Sequence, residues 1–257
     1  MGIWAKLNNM HFRHGILISI IACFIASVFF PGVGPNSIIE TLLIFIGILF
    51  GIIVGFFISD LYSRFQAIKE NAAIDSSGMA TYYSFAQIFA SKRNKKWLEK
   101  QRDMINNYIR KFMPLPWGRY DETEPEFSEI LNSLKEVEYK TDKENETYSN
   151  MLAILSGISD AREKLVINGK DHLTTGEWGI TLSLAILLLF SLFYVKTLDI
   201  VSVIFTWFLS ASIIMLLFVI RDLDNLKFGE NSVSVEPYER VFDAIDKPRY
   251  YNQKKYI

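Results

Sequence analysis

Side chains able to do acid–base, nucleophilic or metal chemistry are scattered through this chain rather than gathered. His11 and His14 stand three apart and could share a helix face, but no cysteine or carboxylate lies near them in sequence. Together with the remote His172 they build no metal site, and the pair reads as a membrane-interface feature. Cys23, the single cysteine, lies inside an apolar run. It forms no intrachain disulfide and reads as a small buried hydrophobe. The acids between Asp121 and Glu129 outnumber a paired-carboxylate site, and nothing singles out two of them. The motifs H-E-x-x-H, G-x-S-x-G, G-x-x-x-x-G-K-[ST] and G-x-G-x-x-G are absent. Neither an enzyme nor a cofactor is expected. A formal net charge of -1 leaves no electrostatic footprint for nucleic acid.

The spacing that does carry information is apolar. Ser37 to Asp60 holds roughly twenty apolar residues after Glu40 and no charge before Asp60, enough for a helix to cross a hydrocarbon core of about 30 Å. Gly47, Gly51 and Gly55 recur at every fourth position and so share one helix face. In a membrane such a face lets another helix backbone approach closely. The opposite face carries Leu49, Ile52, Ile53 and Phe56. Two readings follow. The glycines form a packing seam and nothing more, or the helix packs around a central axis and lines a pore. In the second reading a ring of the four apolar residues is a hydrophobic constriction, a known type of channel gate.

The rest of the chain must position that helix. Half the residues are hydrophobic, and they concentrate in two pairs of long runs near the two ends. The fold expected is all-α: an integral membrane protein with four transmembrane helices in two hairpins and a helical cytoplasmic domain between them. The expected boundaries are 1–60 for the first hairpin, 61–176 for the cytoplasmic domain, 177–221 for the second hairpin and 222–257 for a cytoplasmic tail. Gly15 to Phe30 is the first run, turned back by Pro31, Gly32, Gly34 and Pro35. No small-x-small cleavage site follows it, so it reads as a membrane helix rather than a signal peptide.

Lys6 and Arg13 flank the first hairpin on one side, with Arg64 and Lys69 on that same side and no basic residue in the turn. Positive residues favour the cytoplasm, which places both termini there. Arg221 and Lys227 agree, and Lys196 opposes. Trp207 falls near mid-membrane and needs a partner for its indole N–H.

Within the middle region the second run is expected to continue as a helix at least to Ser76-Ser77-Gly78. Ile88 and Phe89 close the next amphipathic piece, before the basic run Lys92 to Lys96. Pro114, Pro116 and Gly118 end a further helix. Pro125 opens another, Tyr139 to Thr147 is a solvated helix or loop, and Asn168-Gly169 is a C-cap candidate. In the tail, Gly229 to Asn231 suggests a turn and Pro237 a last short helix.

Three stretches carry a resemblance to a known family. They are GFFISDLYSRFQAIKENAA after the second run, SDAREKLVINGKDHLTTGEWGITLSLAILL into the third, and RDLDNLKFGENSVSVEPYERVF after the fourth. Together they resemble the bestrophin-like membrane proteins, distant relatives of the bestrophin anion channels. Phe57-Ile58-Ser59 stands where the bestrophins carry Arg-Asn-Asn, so bestrophin-type selectivity is not carried over. The resemblance implies an oligomeric ion channel, a pentamer being one candidate, with the second membrane helix facing the axis. Asp60, Arg64, Lys69 and Glu70 are then candidates for the inner mouth, and their mixed signs select neither anion nor cation.

The function expected is a homo-oligomeric channel of the cell membrane conducting small anions. The lipid bilayer, further copies of the chain and small ions are its partners. The rival is an integral-membrane scaffold or signalling protein whose helical domain binds a cytosolic partner.

Overall fold

The computed structural model describes residues 3–90, 94–228 and 231–250, with the backbone alone described for 3–13 and 227–232. Lys92 and Arg93 of the basic run, Gly229 and Glu230 of the tail turn, and the His11 side chain lie outside the described residues. The elements in chain order are α1 (Ile3–Phe29), α2 (Ser37–Ala90), α3 (Lys95–Phe112), α4 (Glu124–Ser133), α5 (Asp142–Lys170), α6 (Thr175–Val195), α7 (Ile200–Asp224), β1 (Lys227–Phe228), β2 (Asn231–Ser232) and α8 (Glu236–Ala244). The two short strands pair antiparallel. The chain divides into two compact units, Met1–Ser63 with His172–Ser232, and Arg64–Asp171 with Val233–Ile257.

In the first unit, α2, α6 and α7 are long and apolar enough to cross a membrane, and the described apolar part of α1, His14–Phe29, is shorter. α1 packs along α7, and α6 also packs on α7. Trp207 on α7 supplies the tie that its position demands. Its indole N–H donates to the Ile20 carbonyl of α1 at 3.2 Å, and its ring meets Phe24 edge-on at 5.3 Å. Each later helix starts on a cap. Asn36 accepts from the Ile38 and Ile39 N–H groups, Asp199 accepts from Val201 and Ser202, and Thr174 with Glu177 forms a capping box.

Lys196, whose charge ran against the orientation rule, is buried. Its ammonium donates to the Ser27 and Phe30 carbonyls at 2.5 Å each. Those carbonyls belong to the end of α1, where backbone acceptors lack helical partners and a cation is favoured. The charge therefore caps a helix.

In the second unit α2 does not stop at Ser76-Ser77-Gly78 but continues to Ala90. The Ser76 and Ser77 hydroxyls donate to the Ala73 and Ile74 carbonyls of their own helix. Gly78 is a close-packing site, since a Cβ there would stand 2.6 Å from Ile158 of α5. Gly169 likewise does not end α5, which runs to Lys170. A Cβ on Gly169 would run into the Trp117 carbonyl, so the glycine serves a backbone crossing. Thr141 and Glu144 form a capping box, and the polar 142–147 stretch becomes the first turns of α5. Pro125 and Pro237 sit in the first turns of α4 and α8.

The core of this unit is organised around Asp75, which is fully buried on α2 beyond the charge-free stretch that ends at Asp60. Its carboxyl accepts from Tyr120 at 2.5 Å, from Tyr238 at 2.7 Å and from Tyr108 at 3.0 Å. Arg162 on α5 donates to the Tyr108 hydroxyl at 2.7 Å, to Thr123 at 2.9 Å and to Glu124 at 2.9 Å. Its guanidinium lies over the rings of Phe127, Tyr108 and Tyr120 at 4.4, 5.1 and 5.2 Å. Tyr108 thus links the guanidinium to the carboxyl, and α2, α3, α5, α8 and the Trp117–Thr123 turn meet at one polar knot.

Burial pushes the Asp75 carboxyl above the ordinary carboxylate range, although the Tyr120 and Tyr238 hydrogen bonds, the Arg162 charge and the Tyr108 bond pull it down. Burial likewise drives the Tyr108, Tyr120 and Tyr238 phenols well above theirs. With a raised folded-state value, the contribution of Asp75 is complete at acid pH and is lost as pH rises through that value. Asp75→Ala, which leaves the buried Tyr108, Tyr120 and Tyr238 hydroxyls without their shared acceptor, is expected to cost about 3–5 kcal/mol in an unfolding measurement. Relative to Asp75→Asn, which cannot ionise, the wild-type protein should lose stability as pH is raised above about 4.

Candidate pore face on α2

The membrane part of α2 buries one narrow stripe and exposes the rest. Phe50, Val54, Phe57 and Leu61, spaced four, three and four apart, are buried within the first unit. Turned away from them, Leu49, Ile52 and Phe56 are exposed, Ile52 at 65% and Phe56 at 67%, and Ile53 is intermediate at the stripe's edge. The four candidate neck residues therefore share one side of the helix, and three of them meet little inside the protomer.

The glycines occupy a different side again. A Cβ on Gly47 would touch Leu188 of α6 at 3.7 Å, an ordinary contact, whereas Gly51 and Gly55 would meet nothing within 4 Å. Inside one protomer the glycine series is thus an intrachain seam at Gly47 alone. Gly51 and Gly55 present bare backbone to whatever surrounds the unit.

The four inner-mouth candidates part company. Asp60 is exposed at the end of the charge-free stretch. Arg64 is buried in the second unit, where its Nε donates to the Asn168 carbonyl at 2.6 Å. Lys69 and Glu70 are exposed, and the Lys69 ammonium lies 5.7 Å from the Phe65 ring centre. Past Glu70, α2 carries no charge up to Ala90 except the buried Asp75. Its exposed positions there include Ile74, Ser77, Thr81, Ser84 and Ile88. The Ser77, Thr81 and Ser84 hydroxyls donate to backbone carbonyls three or four residues back.

That uncharged face escapes a search for motifs, because serine and threonine at helical spacing look like ordinary surface. Its visible sequence signal is a stretch from Asn71 to Ala90 whose one charged residue is Asp75. The Asp75 knot escapes for another reason, since its bonded partners come from α3, the Trp117–Thr123 turn and α8, far apart in sequence. Among the described residues, no three His, Cys, Asp or Glu side chains gather to hold a metal ion.

The two faces of α2 make a direct stability prediction. Phe50→Ala should cost about 3–5 kcal/mol in detergent, as expected for a buried aromatic. Phe56→Ala should stay within about 0.5 kcal/mol, as expected for an exposed side chain. Thermal unfolding of the two variants checks the contrast.

A model of the Bestrophin-like domain matches residues 17–238. No curated protein matches the chain. Among solved structures, a mutant of a bacterial bestrophin homologue from Klebsiella pneumoniae is similar with a TM-score of 0.64 and 12% identity, over 91% of this chain and 98% of that one. The same homologue in a structure phased by Zn-SAD gives a TM-score of 0.63 and 12% identity, over 96% and 99%. A structure described as a membrane protein gives 0.64 and 11%, over 90% and 97%. At such identity these likenesses are ones of fold. The family match spans most of the chain, the fold follows that of bacterial bestrophin homologues over more than nine-tenths of it, and the apolar helices are those of a membrane protein: the chain belongs to the Bestrophin-like family.

Proposed function

We propose that the protein is a homo-oligomeric ion channel of the cell membrane, that α2 faces its axis, and that small anions are the species it passes. The observation that carries this reading is the apolar face of Leu49, Ile52 and Phe56, exposed in the protomer although it lies beside a buried stripe on the same helix. A large exposed apolar face on a helix that also shows bare glycine backbone suits packing against further copies. Repeated around an axis, the four apolar residues form a hydrophobic constriction of the kind that gates by dewetting. Asp60 and the uncharged face from Ile74 to Ile88 continue the same helix beyond the membrane. The four spans form two hairpins with both termini in the cytoplasm, and five subunits are the number we favour from the family.

The test is ionic current through the purified protein in planar bilayers under a salt gradient. Wild type should conduct with a reversal potential that follows chloride, and Leu49→Ala and Phe56→Ala should raise the current several-fold. A reversal potential that follows the cation would keep the channel and remove the anion assignment. Absence of current from well-folded oligomers across pH and calcium would overturn the reading in favour of a membrane scaffold.

A further inference from the structure

A cavity of about 440 Å³ opens where the turn after α1 meets the end of α6. Ala26, Phe30 and Val33 line one side, and Phe190, Phe193 and Tyr194 the other. Its volume falls within the range of roughly 300–1,000 Å³ usual for ligand sites. The only side-chain polar atom these six residues offer is the Tyr194 hydroxyl. Tyrosine at the end of a membrane span sits at headgroup level, with its ring toward the hydrocarbon.

The two walls are tied to one another through backbone groups. The Lys196 ammonium ties the Ser27 and Phe30 carbonyls to the end of α6. The Val33 and Gly34 N–H groups both donate to the Tyr194 carbonyl, at 2.9 and 3.3 Å. Gly32 lies so close that a Cβ there would run into the Lys196 carbonyl, and Gly34 takes a φ of +99° to complete the turn. An apolar void in a protein interior is destabilising and tends to collapse. Here four hydrogen bonds join the turn after α1 to the end of α6, so the spacing of the two walls is set before any ligand arrives.

What fills it follows from where it opens. Phe29, Phe30 and Val33 on one side, and Ile186 and Phe190 on the other, are exposed apolar side chains of the membrane unit, so the cavity is continuous with the surface that meets bilayer hydrocarbon. Lys196 is buried and already donates to two carbonyls, so it does not supply a headgroup site. We propose that this cavity binds one acyl chain of a membrane phospholipid, recognised through the chain and not through its headgroup. A preformed apolar slot lets the chain enter without reordering the protein, which is the main saving in binding a flexible ligand.

The experiment uses the full-length protein in phosphatidylcholine vesicles doped with a phosphatidylcholine whose acyl chain carries a photoactivatable diazirine. Adducts are mapped by mass spectrometry. Residues 26–33 and 190–194 should be labelled several-fold more than the exposed α7 residues Ile204, Phe205, Phe208 and Leu209, and Ala26→Phe, which fills the cavity, should abolish the excess. If Ala26→Phe does not fold, Val33→Trp at the exposed rim serves the same purpose. Exchanging half the lipid for phosphatidylglycerol should leave the pattern unchanged. Equal labelling of cavity and α7, or an excess that survives both variants, would overturn the proposal. So would protection of the cavity by cross-linked residues of a second copy, and a dependence on headgroup charge would replace chain recognition with headgroup recognition.

Discussion

A helix that leaves hydrocarbon without breaking has to satisfy two surroundings with one backbone hydrogen-bond ladder, and α2 is built under that constraint. Its 54 residues extend about 80 Å at 1.5 Å per residue, well beyond the roughly 30 Å of a hydrocarbon core. Within the first unit no charge interrupts it between Glu40 and Asp60. Within the second it carries the buried Asp75 and a run of small side chains whose hydroxyls fold back on its own carbonyls. Serine and glycine would weaken an isolated helix. Here Gly78 is tolerated because α5 packs against its backbone, and tertiary packing rather than propensity keeps the helix continuous.

Each unit also has a buried ionisable group whose hydrogen bonds tie several elements together. In the first it is Lys196, whose partners are carbonyls that the end of α1 would otherwise leave unsatisfied. In the second it is Asp75, which gathers three phenols and, through Tyr108, the Arg162 guanidinium. Such groups fix which elements meet, since a buried polar atom tolerates few alternative partners. Neither knot uses Leu49, Ile52 or Phe56, which stay exposed in the protomer.

Much of this was legible in the sequence. The apolar runs, the prolines at helix starts and the need of Trp207 for a partner are local properties, and they appear in the structure as α2, α6, α7, α4, α8 and the bond to Ile20. The family was legible from three short stretches around the membrane helices. Other features depended on partners distant in the chain. Ser76-Ser77-Gly78 and Asn168-Gly169 look like helix ends until α5 and the Trp117 turn are brought against them. The burial of Arg64 is hidden until Asn168 of α5 accepts its Nε. Lys196 looks like a breach of the charge rule until the end of α1 arrives. Side-chain type and period are written locally, whereas burial of a polar group is decided by which elements pack on it.

The central claim is that Leu49 and Phe56 face water on an axis rather than lipid. Cysteine accessibility tests it most directly. Leu49→Cys, Phe56→Cys and, on the exposed glycine side, Ile44→Cys would each be introduced into a Cys23→Ala background and treated with a charged, water-soluble thiol reagent during current recording. The account predicts that modification at 49 and 56 alters the current and that Ile44→Cys is unaffected. Current changes at position 44 with none at 49 or 56 would contradict it.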